Sequence, residues 1–194
     1  MNLFFILIGA AFINNYVLTQ FLGMCPFFGV SKKTETAFGM GISVMFVMTL
    51  ASIFTYFFNT FVLIKFGIEY LQTVAFILII ASIVQFVEVF MKKKISALYA
   101  KLGIYLPLIT TNCAIFGVVL INIQESYSFF EMLVNSIGAG AGFLLAIVLL
   151  SAIREKYDNH PDVMWIFNGF PLALFAAGLM SIAFLGFQGL VIGR

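Results

Sequence analysis

The residues best suited to chemistry in this sequence are its two cysteines. Cys25 and Cys113 are the only ones present, and each opens the same pattern, Cys-x-x-Phe-Gly-Val: Cys25-Pro26-Phe27-Phe28-Gly29-Val30 and Cys113-Ala114-Ile115-Phe116-Gly117-Val118. A cysteine serves as a small buried residue with no further task, as half of a disulfide, or as a thiolate ligand for a soft metal such as zinc, Cu(I) or an iron–sulfur cluster. Spacing leaves all three open. Counting ligands constrains the third. An all-cysteine iron–sulfur cluster takes four thiolates, whereas this chain has two, and its single His160 falls in a loop. A cluster here therefore needs two ligands from a second chain. Zinc held in the same way would need a path to water before it could act.

The setting of these residues follows from composition. Of the 194 residues, 63% are hydrophobic and 9% charged, and 25 are Phe. Soluble domains carry roughly 45–50% apolar and about 25% charged residues. Such a surface excludes a soluble enzyme and a disordered chain, and ten Lys plus Arg make no nucleic-acid-binding face. Stretches free of Asp, Glu, Lys and Arg run 1–31, 36–64, 70–87, 102–124, 132–153 and 163–193. Each reaches or approaches the roughly 20 residues that cross the hydrocarbon as a helix. Runs such as Phe76–Ile80 and Phe143–Leu150 are apolar on every side, unlike the alternating strands of a membrane barrel. The sequence thus predicts an all-α integral membrane protein, residues 1–194 forming one transmembrane domain of six helices. Residues 1–22 do not read as a signal peptide, because no basic residue precedes the apolar run and no small-x-small site follows it.

Loop charge predicts the orientation. Lys32, Lys33, Lys92, Lys93, Lys94, Lys101, Arg154 and Lys156 fall on one side, and only Lys65 and Arg194 on the other. Basic residues of short loops stay in the cytoplasm, which puts both termini outside, periplasmic in a Gram-negative cell. The cysteine motif recurs in spans 1 and 4, and each copy is followed in the next span by Gly-x-Gly, at Gly39 and Gly41 and at Gly138 and Gly140. Two copies of a three-helix unit, about 1–95 and 99–194, follow. An odd number of crossings turns the second copy upside down, and such inverted repeats hold their shared site near the midplane on broken helices. Breaks are expected in span 1, with Asn14, Asn15, Gln20, Gly23, Pro26 and Gly29, and in span 4, with Pro107, Thr110, Thr111, Asn112 and Gly117. Taken singly, each Asn or Thr is read as an interhelical hydrogen-bonding group; their coincidence with both cysteines points to a site.

Other residues read as structural. Glu88 and Lys92 stand at helical ion-pair spacing near the end of span 3, although buried membrane acids also mark ion paths. Gly138 and Gly142 form Gly-x-x-x-Gly, a close-packing face. Residues 154–162, with Arg154, Glu155, Lys156, Asp158, His160 and Asp162, are expected to be the most polar loop and a cytoplasmic docking surface.

The segment Asn14-Asn15-Tyr16-Val17-Leu18, leading to Phe21-Leu22-Gly23-Met24-Cys25-Pro26-Phe27-Phe28-Gly29-Val30-Ser31-Lys32-Lys33, resembles the first half of the A-type members of Rnf complexes, and Tyr105-Leu106-Pro107-Leu108-Ile109-Thr110-Thr111-Asn112-Cys113 resembles the second. Rnf complexes are membrane-bound ferredoxin:NAD oxidoreductases that move ions. The E-type members of the sodium-pumping NADH:quinone oxidoreductase are similar, and Pro26 and Gly29 match Rnf better. The resemblance covers essentially the whole chain. It implies a bacterial inner-membrane subunit paired with a homologous E-type subunit of opposite topology. It also implies one [2Fe–2S] cluster shared between them, with Cys25 and Cys113 as this chain's two ligands. Flavins, NAD and the remaining clusters then belong to other subunits, electrons cross the bilayer through the shared cluster, and Na+ or H+ transport is coupled to their passage. On this reading the chain holds no complete active site. Rival classes are a secondary transporter without a redox centre and a purely structural scaffold subunit.

Overall fold

The apolar runs are realised as helices. The computed structural model describes residues 3–66, 69–94, 112–158 and 170–188, and no strand occurs among the described residues. The order is α1 (Leu3–Ile8), a π-helical turn (Gly9–Ile13), α2 (Tyr16–Gln20), α3 (Met24–Val30) and α4 (Thr34–Phe58), which a second π-helical turn (Asn59–Leu63) continues into α5 (Ile64–Phe66). A 3-10 turn (Glu69–Leu71) then leads into α6 (Gln72–Lys94), followed by α7 (Cys113–Gln124), α8 (Phe129–Asp158) and α9 (Phe170–Gln188). Four stretches are long and apolar enough to cross a membrane: Thr34–Leu63, Gln72–Val89, Phe129–Tyr157 and Phe170–Phe187. The apolar helices Leu3–Ile13 and Cys113–Gln124 are shorter, and these carry the two segments in which breaks were expected. Pro107, Thr110 and Thr111 lie outside the described residues, as do Lys101, His160, Asp162 and Arg194.

Segment 1–31 is broken twice, each time for a local reason. The first break falls at Asn14 and Asn15, the second at Phe21–Gly23. At the first, the Asn15 side-chain oxygen accepts the Val17 N–H at 3.1 Å and caps α2, as Asn does where a helix begins. Its Nδ2 donates to Ala11 O (3.4 Å) and to Gly142 O on α8 (2.9 Å). At the second, Phe21 (φ 57°) takes the left-handed conformation that ends α2, and Gly23 (φ +82°) takes it just before α3 begins. The short α2 is held from outside as well, since Ser181 Oγ of α9 donates to Leu18 O at 2.6 Å. Backbone freed by a break is tolerated in lipid only where protein satisfies it, and these contacts do so.

Without a hydrophobic drive between helices in lipid, close backbone packing decides which helices associate. The central crossing is α4 on α8, and its glycines leave no room. A Cβ built on Gly41 would lie 3.1 Å from the Leu144 Cα, and one on Gly140 would lie 2.9 Å from the Met45 Cα. The contacts are reciprocal: Met45 stands four residues after Gly41, and Leu144 four after Gly140. The Gly-x-x-x-Gly pair is structural, as expected. Cβ atoms on Gly138 and Gly142 would fall 3.0 Å from Leu7 O and 2.9 Å from Ala11 O, so α8 lies directly against the backbone of α1 and the first π-helical turn.

A polar seam runs between α4, α7 and α8. Asn135 Nδ2 donates to Asn122 Oδ1 (2.7 Å), Asn122 Nδ2 to Ser136 Oγ (3.0 Å), and the Ser136 and Ser52 hydroxyls are 2.8 Å apart. All four residues are buried. Phe rings are prominent on the outside: Phe4, Phe5, Phe61, Phe86, Phe130 and Phe175 are each more than 60% exposed, consistent with a surface that meets lipid or other proteins of a complex.

One expectation is corrected. Residues 154–162 do not begin as a loop, because α8 continues to Asp158. Arg154 is only 7% exposed. Its Nη1 donates to Phe28 O (2.9 Å) and to Ser31 Oγ (2.8 Å). Its neighbours tie the same corner together, with Thr34 Oγ1 donating to Glu155 Oε2 (2.6 Å) and Ser151 Oγ to Thr34 Oγ1 (3.3 Å).

Candidate functional site

The two cysteine motifs, far apart in sequence, meet at Gly23. The Gly23 N–H donates to Cys113 Sγ at 2.9 Å, joining the break that precedes α3 to the first residue of α7. A Cβ at Gly23 would stand 3.0 Å from both Ala114 Cβ and Phe143 Cε2 and 3.2 Å from Asn112 Oδ1. Glycine is required here on two counts, conformation and space. Cys25 lies two positions on, in the first turn of α3.

Asn112 starts α7 as Asn15 starts α2. Its Oδ1 accepts the Ala114 N–H at 3.0 Å, which places Cys113 in the first turn of a 12-residue helix. The helix end carries partial positive charge, which favours a thiolate at that position. Asn112 itself is buried, at 3% exposure. Its Nδ2 is the only buried side-chain N or O without a hydrogen-bond partner among the described residues.

Cys25 is exposed, Cys113 is half-buried, and both are free thiols, so the disulfide reading does not describe this structure. No group of three or more His, Cys, Asp or Glu residues gathers among the described residues. The donors present suit half of an iron–sulfur centre. They comprise two thiols in the first turns of their helices, a backbone N–H already on one sulfur, and a buried, unpartnered amide N–H2 on the residue preceding Cys113.

The cysteine-bearing helix is also anchored at its far end. Cys25 lies in the first turn of α3, and Phe28 O and Ser31 Oγ, toward the opposite end, are held by the buried Arg154 guanidinium. Sequence reasoning put Arg154 in a loop because a charge following an apolar run marks an interface. The available signal was its helical spacing from Ser151. Replacing Arg154 with Leu removes both of these hydrogen bonds and is expected to cost about 2 kcal/mol, read as a lower melting temperature of the purified protein in detergent. Lys, which brings one ammonium in place of a forked guanidinium, should recover part of the loss. Glu88 is part-buried on α6; the side chain of its expected partner Lys92 lies outside the described residues.

The family model described as Rnf-Nqr subunit, membrane protein, matches residues 3–191. The chain belongs to the Rnf-Nqr family. As a member of that family it is a multi-pass membrane protein. It is 56% identical over 193 residues, the whole of both chains, to the A-type protein of the Na(+)-translocating ferredoxin:NAD(+) oxidoreductase complex of Acetobacterium woodii. It is 52% identical over 186 residues, 96% of each chain, to the A-type protein of the ion-translocating oxidoreductase complex of Colwellia psychrerythraea. The protein of the same name from Yersinia enterocolitica is 53% identical over 184 residues, 95% of each chain. The Rnf-Nqr family thus includes components of ion-translocating oxidoreductases that match this chain along its length, and the resemblance carried by the cysteine segments agrees with them.

Proposed function

We propose that this chain is the A-type membrane component of an ion-translocating ferredoxin:NAD oxidoreductase complex. In this reading Cys25 and Cys113 hold half of a [2Fe–2S] cluster whose other two thiolate ligands come from a homologous E-type subunit of opposite orientation. When bound, such a cluster supplies a one-electron relay in a bilayer that otherwise insulates carriers on its two faces. The observation that carries the reading is the Gly23 N–H on Cys113 Sγ, which unites the two cysteine segments in a family of redox-driven ion pumps.

The chain's own residues perform binding, orientation and exclusion. Gly23 lets the segment before Cys25 approach Cys113 closely. Asn112 fixes the start of α7, and with it the direction of Cys113. Phe143, 1% exposed, closes the inner side with apolar surface, leaving the exposed Cys25 toward the partner. The reciprocal Gly41–Leu144 and Gly140–Met45 contacts are of the kind two inverted repeats, about 1–95 and 99–194, would make, and six crossings in all belong to that reading. Both termini then lie on the periplasmic face of the inner membrane, because the basic loops are cytoplasmic. Movement of the halves about the site couples electron passage to that of Na+ or H+, while flavins, NAD and further clusters reside on the other subunits.

The test is to co-express the chain with its E-type homologue, purify the pair, and measure iron, acid-labile sulfide and visible absorption. Two irons and two sulfides per pair, with a signal that bleaches on reduction, are expected for one such cluster. An intact pair free of iron would return the chain to the transporter or scaffold class.

A further inference from the structure

Buried polar groups in native proteins are nearly always paired, and each exception asks for a partner. Asn112 Nδ2 is such an exception. It is not a badly placed side chain. The other end of the same amide is engaged, with Oδ1 accepting the Ala114 N–H at 3.0 Å, which fixes which end is nitrogen. Leaving an amide donor buried and unbonded costs about 1–3 kcal/mol. A cap needs only an oxygen, which Asp would supply without an orphaned donor. Both ends of the Asn side chain are explained if the nitrogen has an acceptor that arrives with the bound group. The amide oxygen would stand 3.2 Å from a Cβ at Gly23, whose own N–H reaches Cys113 Sγ. The orphan nitrogen, on the same amide as that oxygen, thus shares the neighbourhood of that sulfur.

We infer that Asn112 is a positioning and tuning residue whose amide donates a hydrogen bond to an electron-rich sulfur, thiolate or bridging sulfide, of the group held at Cys113. This rests on the function proposed above and adds a consequence. A donor to sulfur stabilises the reduced, more negative state, so the amide raises the reduction potential of the centre. The backbone N–H of Gly23 acts in the same sense on Cys113 itself. The half-site thus contributes two neutral donors.

The test compares the purified pair carrying the native chain, Asn112→Ser or Asn112→Asp, by redox titration followed by electron paramagnetic resonance. Both substitutions keep an oxygen to cap α7 and remove the amide donor. The Ser variant is expected to bind iron normally but to be harder to reduce. Its ratio of reduced to oxidised centre should fall about tenfold at the native midpoint, the equivalent of one hydrogen bond to a charged group, or about 59 mV for a one-electron couple. Asp, with its added charge, should move further in the same direction. A Ser variant that holds iron and titrates with the native pair overturns the inference. Should that variant fail to assemble, pulsed resonance on the native pair with 15N in the Asn side-chain amides decides. A nitrogen coupling to the reduced centre supports the donor, and its absence overturns it. A native pair without iron refutes the underlying function instead, and is recognised before any variant is made.

Discussion

Cys113→Ala, introduced into the assembled complex, should abolish the signal of the shared cluster and ferredoxin-dependent NAD reduction, bringing turnover to the level of membranes lacking the complex. The loss is chemical more than structural. Alanine removes one of two thiolates and leaves the Gly23 N–H without its 2.9 Å acceptor, a local cost of about 1–3 kcal/mol. Cys113→Ser separates the two effects. Its hydroxyl can still accept from Gly23, so the protein should accumulate normally, yet a hard oxygen ligand does not replace a thiolate on iron. Cys25→Ala provides the complement. That side chain is exposed, so truncation should barely change melting temperature while turnover is lost just as fully. Steady-state oxidoreductase assays, iron analysis and quantitation of the assembled complex give the result. Turnover retained in intact, iron-containing complexes of either alanine variant would remove the cysteines from the mechanism.

The second large effect is expected at Gly140. A Cβ there would sit 2.5 Å from Met45 Cγ, 2.8 Å from its Cβ and 2.9 Å from its Cα. Two of those atoms belong to the fixed part of α4, so a rotamer change cannot relieve the collision. Gly140→Ala should cost about 1–3 kcal/mol as an overpacked contact, visible as a lowered melting temperature. Gly140→Leu requires the helices to separate and should leave little or no protein in the membrane by immunoblot. Gly39 and Gly178 meet nothing within 4 Å, so the same substitutions at either should be tolerated. Wild-type amounts of the Gly140→Leu protein would show that the α4–α8 crossing is not what holds the bundle together.

Much of this was legible from residue order, because the bilayer imposes so few solutions. Charge-free runs marked the apolar helices, and Asn14, Asn15 and Gly23 marked their interruptions. Gly-x-x-x-Gly in the fifth run named a close-packing face, found against Leu7 and Ala11. What stayed hidden needed distances. Arg154 looked like a loop charge, because one dimension does not show that a guanidinium can turn inward to reach Phe28 O. Nothing in the order of residues joined Gly23 to Cys113, since a backbone N–H has no sequence signature. The polar seam was hidden for a related reason. Asn122, Asn135, Ser136 and Ser52 stand singly in apolar runs, and each becomes meaningful only beside the others.

That seam bears on how the protein is made. Ser52 and Ser136 are 84 positions apart, so α4 enters the bilayer well before the helix bearing its partner has been synthesised. Its glycine-lined face and its hydroxyl must wait in lipid, or against the insertion machinery, until α8 arrives. The native bundle therefore closes late and from the carboxyl-terminal half. A chain truncated after α6 should be an orphan that cellular proteolysis removes, not a stable half-protein.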